Sequence, residues 1–512
     1  MFAKTHGCVT LGVDGIVIDV EVDSSMGLPH FEVVGLANAA VKESKDRVRT
    51  AIKNSGFNLR QERVTINLAP ADIRKDSSGL DLPMAAGLLA SYGELNSERL
   101  QKTLFVAELS LEGELRPVAG VLPMTVKARD AGFSEIFVAP GNANEALLVE
   151  GITVYAPLNL RELVNFLTGR AELAPAEKKA PPQENAVRVV DDFADVQGQF
   201  LAKRALEIAA AGGHNVLMVG VPGSGKTMLA RRLNSILPQL SPEEALEVTK
   251  IYSIAGKISA GGELHRRRPF RSPHHTISMQ AMIGGGAVPR PGEVTLAHHG
   301  VLFLDELPEF NKAALEVLRQ PLEDGFVTVS RIQATLTFPS NLILVCAMNP
   351  CPCGYAGAKD GVHVCECSPR DIKNYRRKIS GPLLDRIDIH INVPRVEYRD
   401  LRAKNAAEPS AKIRARVEAA REKSLKRLKP YGLFCNAQIT GGKVMKETCP
   451  ITDAAENLLK QAFDRLNLSA RSHGRIIKVA RTIADLAGED IIDAKHIGEA
   501  IGLRSNVGFN FE

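Results

Sequence analysis

Tryptophan is absent from the 512 residues, and aromatic side chains make up only 5% of them. With so few rings, stacking of nucleic-acid bases on exposed aromatics is not an expected mode of recognition. Long apolar runs are missing too: none approaches the roughly 20 residues that cross a bilayer, so no membrane partner is expected. The opening "MFAKTHGCVTLGVDG" has no charged leader followed by an apolar core, and no secretory signal is expected there. Cysteine is scarce, eight in all, and half of it falls in one short stretch. That is not a secreted disulfide framework, and the cytoplasm is the expected compartment. Nor is charge of one sign in large excess. A net charge of +5 and a pI near 8.7 permit an acidic partner without demanding one.

What is present falls into parts. "AELAPAEKKAPPQENAVR", Ala171 to Arg188, is rich in Pro, Ala, Glu and Lys, shows no apolar period and reads as a linker. Before it, in residues 1–170, "GIVIDVEVDSS" and "RVTINLAP" alternate as strands do. "AAVKESKDRVRTAIKNSG" has a helical period that stops at Gly56, and "LDLPMAAGLLASYG" reads as a buried helix. An α+β domain is expected. In residues 189–394 the apolar runs "HNVLMVG", "GVLFLDE" and "NLILVCAMN" are interleaved with helical patterns, which predicts a parallel sheet covered on both faces. From about Arg395 only helical patterns remain, and 395–512 is expected to form a helical lid. Within it, "AKIRARVEAAREKSLKRLKP" reads as one exposed helix ended by Pro430, its charges solvated or touching nucleic acid.

"GVPGSGKT" comprises Gly220, Val221, Pro222, Gly223, Ser224, Gly225, Lys226 and Thr227. It follows the strand "NVLMV" and opens the helix "TMLARRLNSIL", the context that a phosphate loop requires. Its backbone N–H groups can curl around phosphates, and the helix N-terminus adds a favourable dipole. Lys226 is expected to neutralise the β- and γ-phosphates of ATP, and the Thr227 hydroxyl to hold Mg²⁺. "GVLFLDE" ends in Asp305, expected to complete the Mg²⁺ shell, and Glu306, expected to position or deprotonate the attacking water. The next strand ends in Asn349, a neutral amide placed to orient that water. Arg386, in "GPLLDRIDIH", reads either as a finger reaching a neighbouring subunit's nucleotide or as a partner of Asp385 or Asp388. In "LSARSHGRIIKVARTIAD", Arg471 is expected to sense the γ-phosphate, with Arg475 as the alternative. "GFVTVSRIQATLTFPSN" alternates around Arg331 and reads as a hairpin.

These pieces, in this order, resemble the AAA+ ATPases, an α/β phosphate-loop module with a C-terminal helical lid. "RPFRSPHHTIS", "IGGGAVPRPGEVTLAHHGVLFLDELPEF", "LRQPLEDGFVTVSR" and "AMNPCPCGY" are similar to the magnesium-chelatase-related branch. "GLPHFEVVGLANAAVKESKDRVRTAIKNSGF" and "NLAPADIRKDSSGLDLPMA" are similar to its YifB/ComM subgroup, so the resemblance covers essentially the whole chain. It implies an ATP-driven hexameric ring, a helicase that moves DNA branch points in homologous recombination and natural transformation. It implies that the hairpin points into the ring's pore, which makes Arg331 a candidate contact to DNA phosphates. It also implies a second insert from Tyr252 to Gly286, whose histidines read as packing, subunit-contact, DNA or metal groups. "KDSSGLDLP" resembles the Lon-protease-like fold, yet the nucleophile position falls on Gly79 and the lysine position on about Leu122. No lysine stands where a base should activate Ser77 or Ser78, so no peptidase is expected. Two rivals stay open: a metal-chelatase motor subunit that remodels a partner protein, and a nucleotide-dependent DNA scaffold without translocation.

The clustered cysteines lie in "NPCPCGYAGAKDGVHVCEC". Scattered evenly, cysteines would give the loop 351–367 roughly 0.3 of one. Cys351, Cys353, Cys365 and Cys367 instead form two C-x-C pairs, a set able to hold structural Zn²⁺, although each pair is one residue tighter than usual. His363 is a substitute ligand; a redox or free-thiol role and plain packing are the other readings.

Overall fold

The computed structural model describes residues 1–35, 39–73, 75, 77–178, 191–258, 261–286, 289–331, 334–357, 363–396, 407–465 and 469–505. Two large sheets are present. The first has seven strands in the order His30–Val34, Arg63–Ala69, Asp14–Ser25, Phe2–Leu11, Thr103–Val106, Glu135–Val138 and Thr153–Tyr155. Its centre is the antiparallel pair of Phe2–Leu11 and Asp14–Ser25, with Phe2 opposite Asp23 and Leu11 opposite Asp14. The helix Asp81–Ser91 is buried along its whole length, as its all-round apolar sequence requires. The helix Ala39–Asn54 is followed by Gly56 at φ +86°, a left-handed stop that suits glycine. At the site of the Lon-like motif, Gly79 and Leu122 are both buried, Ser77 Oγ accepts the Gly79 amide, and Lys75 Nζ donates to the Pro70 carbonyl.

The second sheet has five parallel strands in the order Phe270–Arg271, Val301–Leu304, Ile343–Met348, Val216–Val219 and Ile389–Asn392. The continuous apolar runs follow from burial on both faces. Val216, Met218, Phe303 and Val345 point to one face, where they share a core with Val417, Ile476, Val479, Ile483 and Leu503. Those last residues belong to the helices Ser410–Leu428, Ala470–Leu486 and Ala494–Ser505; the first two pack on the helix Phe200–Gly212, and Ala494–Ser505 reaches the strand Ile389–Asn392 directly. Leu217, Leu302 and Leu344 point to the other face, covered in part by the hairpin Phe326–Arg331 with Ala334–Pro339. Arg331 ends the first hairpin strand, opposite Ala334.

Two expectations need correction. The basic helix Ser410–Leu428 is not a free charged face: Ile413, Val417, Ala420 and Leu428 are buried along one stripe. Its arginines are consumed by the fold, Arg414 donating to the Ser235 carbonyl, Arg421 to that of Ala210, Arg416 to Glu207 and Arg427 to Asp485. Part of the expected second insert is core structure, because Phe270–Arg271 is the edge strand of the parallel sheet. Two basic residues of this stretch are paired, Arg268 with Glu244 and Arg271 with Glu293. Of the expected linker, 179–188 lies outside the described residues; before it, the Ala176 amide donates to the Val154 carbonyl at 2.8 Å. Residues 397–406, just past the expected boundary at 394, also lie outside. Among the described residues no helix is long and apolar enough to cross a membrane.

Candidate nucleotide site and cysteine cluster

In a parallel sheet all strands release their chains at one edge, and four expected groups meet there. Val216–Val219 runs into Gly220, where a Cβ would lie 2.3 Å from the Val393 carbonyl oxygen; only glycine fits. Gly225, at φ +88°, then turns the chain into the helix Lys226–Ile236. Lys226 Nζ folds back to the carbonyls of Gly220 at 2.8 Å and Val221 at 3.1 Å, and to Asn349 Oδ1 at 3.2 Å. Burial lowers its pKa, while the charges of Asp305 and Glu306 act to raise it. Thr227 Oγ1 donates to Asp305 Oδ2 at 2.7 Å. Ser224 Oγ is buried without a hydrogen-bond partner among the described residues.

These residues fit a Mg²⁺-nucleotide. A hydroxyl and a carboxylate side by side are hard oxygen donors of the kind Mg²⁺ prefers. The glycine-rich turn, an ammonium group and an unpartnered hydroxyl suit phosphate oxygens. Glu306 follows directly, half-exposed and in the left-handed region at φ +52°, a conformation that costs a non-glycine residue energy.

Two neighbours were not picked out from the sequence. His275 Nδ1 lies 3.7 Å from Glu306 Oε2, which gives part of "RSPHHTIS" a place beside the site. Gln199, at φ +54°, donates from Nε2 to the Pro394 carbonyl at 2.7 Å and the Ser224 carbonyl at 3.3 Å, tying the phosphate loop to the last strand. Gln199 carries no sequence signal beyond the glycine before it. His275 does, since paired histidines near an expected acid are a charge pattern.

The expected arginines are elsewhere. Arg386 precedes the strand Ile389–Asn392, at the edge where strands begin. It pairs with Glu323 and donates to the carbonyls of Arg319 at 2.9 Å and Pro382 at 2.8 Å, not to Asp385 or Asp388. Asp388 is taken by His214 at 3.1 Å and Arg475 at 2.7 Å. Burial works against the Asp388 carboxylate, but the His214 hydrogen bond and the positive charges of His214 and Arg475 outweigh it and hold its pKa well below the ordinary value. Exposed Arg471 lines the same open cleft as Arg386 and Arg475, of about 2010 Å³, between the sheet's starting edge and the C-terminal helices. A four-residue strand spans about 13 Å, so none of these arginines is beside Lys226 in its own chain. A γ-phosphate contact from Arg471 or Arg475 would therefore reach the nucleotide of another copy rather than that of its own chain. The buried stripe of Ala470–Leu486 packs that helix against Phe200–Gly212, Ser410–Leu428 and Ala494–Ser505.

The four cysteines of 351–367 converge: their Sγ atoms all lie within 4.8 Å of one another. Cys351 is 3.3 Å from Cys353 and 3.7 Å from Cys365, and Cys353 is 3.7 Å from Cys365. These spacings are far beyond a disulfide, about 2.05 Å. They approach the S···S separation of about 3.8 Å in a ZnS₄ tetrahedron with 2.3 Å bonds. The Tyr355 backbone hydrogen bond leads in lowering the Cys353 thiol to about 6, which favours a thiolate ligand. His363 stacks on Tyr355 at 4.4 Å between ring centroids. A second cluster, Glu247 with His298 and His299, is closed instead as a hydrogen-bond network. His298 Nδ1 accepts the Asn341 amide at 3.0 Å, which leaves its Nε2–H to donate to Glu247 at 3.2 Å and no lone pair for a metal.

A five-stranded parallel sheet with a phosphate loop, a paired acid at the next-but-one strand end and a helical C-terminal part defines a phosphate-loop ATPase of the AAA+ class. The sequence comparisons agree. The family described as magnesium chelatase, subunit ChlI, matches residues 192–401, its C-terminal counterpart matches 407–504, and the model described as subunit ChlI of Mg-chelatase matches 20–142. The chain is 42% identical over 511 residues to competence protein ComM of Haemophilus influenzae, covering 99% of this chain and 98% of that one. It is 42% identical over 502 residues to YifB of Escherichia coli, covering 98% and 96%. The magnesium-chelatase 67 kDa subunit of Chlorobaculum parvum is 30% identical over 165 residues, 31% of this chain and 23% of that one. The chain belongs to the ComM/YifB family of magnesium-chelatase-like AAA+ proteins.

Proposed function

We propose that this protein is a ring-forming, hexameric ATPase of the cytoplasm that couples hydrolysis to movement along single-stranded or branched DNA. In this reading it is a branch-migration helicase serving homologous recombination and natural transformation. One observation carries the ring: phosphate loop and acids stand at one edge of the sheet, Arg386 and Arg471 at the other. Such a head-to-tail arrangement is completed when a second copy presents its starting edge to the first copy's phosphates. Lys226 binds the β- and γ-phosphates, Thr227 and Asp305 hold Mg²⁺, Asn349 orients water and Glu306 takes its proton. Mg²⁺, when bound, offsets the charge of the phosphate oxygens. Arg386 leaves Glu323 to stabilise the neighbour's transferring phosphoryl group, and Arg471 senses it in the same trans arrangement.

Support for DNA comes from the near-full-length identity to a competence protein and from Arg331 at the end of a core hairpin. The first part, read as a Lon-protease-like domain without a dyad, organises the ring. The cysteine loop is read as a structural Zn²⁺ site. The chelatase-motor reading draws on the family models, but the likeness to the chelatase subunit covers only 31% of this chain. A three- or four-way DNA junction tests the proposal: ATP hydrolysis rises with the junction and the junction is resolved. Equal hydrolysis with and without every DNA tried would discard the motor.

A further inference from the structure

The cysteine loop does more than project from the core. Gly354, inside the first C-x-C pair's turn, has φ +90°, and a Cβ there would fall 2.7 and 2.8 Å from Cγ and Cδ of Pro222. The loop backbone thus lies directly on the phosphate loop. Its amide donates to the Cys351 carbonyl at 3.0 Å, which locks the contact to the first thiol of the cluster. Two residues before Cys351, Asn349 holds Lys226 Nζ at 3.2 Å. One residue earlier still, the Met348 carbonyl accepts the Gly220 amide at 3.2 Å. The segment 348–354 therefore touches the phosphate loop at its first glycine, its proline and its lysine. What fixes the far side of that segment is the four-thiol cluster, with Cys351 wholly buried and its Sγ accepting the Ala356 amide at 3.2 Å.

We propose that the cysteine loop is a metal-dependent clamp on the phosphate loop, so that occupancy of the thiol cluster by Zn²⁺ sets the affinity for nucleotide. The inference rests on the zinc reading above and deepens it. A tetrathiolate cation holds Cys353 and Cys365 together across the loop and keeps Gly354 pressed on Pro222. Without the cation nothing bridges Cys351 and Cys353 to Cys365 and Cys367, and the loop is free to back away from the phosphate loop. Lys226 then loses its Asn349 partner and part of its orientation. All four ligands are thiolates, so the ion has no open position and acts through structure alone.

The full-length chain tests this with two readouts besides hydrolysis. Purified without added metal, it carries about one zinc per chain by elemental analysis. Stripped with a chelator under reducing conditions, it binds a fluorescent ATP analogue about tenfold more weakly, and one equivalent of Zn²⁺ restores binding. Gly354→Ala keeps its zinc yet shows the same loss, because the added methyl pushes on Pro222. Cys365→Ser with Cys367→Ser loses zinc and affinity together, and Zn²⁺ does not restore either. Circular dichroism and size exclusion serve as controls for folding. Zinc present and released without any change in affinity, or Gly354→Ala binding like the parent protein, overturns the clamp while leaving the metal site standing. Absence of zinc from the purified protein together with failure of added Zn²⁺ to bind overturns both.

Discussion

Arg475 donates to Asp388 at 2.7 Å, and this pair stands at the opposite end of the parallel sheet from Lys226. Arg475, the alternative to Arg471 as phosphate sensor, is thus anchored to the start of the last strand. Its helix is held there by Ile476, Val479 and Ile483, buried in the core it shares with the helices Phe200–Gly212, Ser410–Leu428 and Ala494–Ser505. In the proposed ring, the starting edge of a second copy supplies the other half of the nucleotide site.

The Asp388 pair is structural, and its removal is expected to be costly. Asp388→Asn leaves buried His214 and Arg475 facing a neutral amide and should destabilise the ATPase part by about 3–5 kcal/mol. The pH dependence has a definite sign. The folded carboxyl is depressed below its ordinary 3.8, so its stabilisation is complete above that value and lost as pH falls through the lower folded pKa. Acid titration of unfolding free energy should show that loss in the parent protein and not in Asp388→Asn. Equal stabilities of the two proteins at pH 7 would count against the assignment.

In the proposed mechanism Glu306 acts on water and does not hold nucleotide. Glu306→Gln should lower turnover by about 10²–10⁴ while leaving nucleotide affinity nearly unchanged. Isotherms with a fluorescent nucleotide, beside steady-state hydrolysis, separate the two. A large loss of affinity would move Glu306 from chemistry to binding.

Arg331 is expected to neutralise one DNA phosphate. Arg331→Ala should reduce stimulation of hydrolysis by single-stranded DNA and lower the slope of log affinity against log salt by about 0.7. An unchanged slope would remove Arg331 from the DNA path.

Much of the core was legible in the sequence because its signals are local. The runs "VLMV" and "VLFL" become strands buried on both faces, the glycines at 223 and 225 take left-handed backbone, and Gly220 leaves room for the Val393 carbonyl. Spacing alone brings Thr227 to Asp305 and Lys226 to Asn349, since the ends of parallel strands share one edge. The thiol cluster was legible for the same reason, as four ligands in one short loop. What sequence could not supply was the side of the sheet on which the C-terminal helices lie. A helix with an apolar stripe states that it packs, not where, and so the edge of the sheet that Arg471 faces is not legible in the sequence. The basic face of Ser410–Leu428 misled similarly: its arginines find carbonyls and carboxylates far away in sequence, such as Ala210 and Asp485.

The central claim is that each site is built from two copies, and mixing two inactive proteins tests it most directly. Lys226→Ala has no working phosphate loop, and Arg386→Ala has no finger to lend. Combined in equal amounts and allowed to exchange into mixed rings, they should regain hydrolysis at about one interface in four, where an intact Lys226 meets an intact Arg386 from the adjacent copy. No recovery in rings shown to be mixed, with either single variant inactive alone, would contradict a shared site.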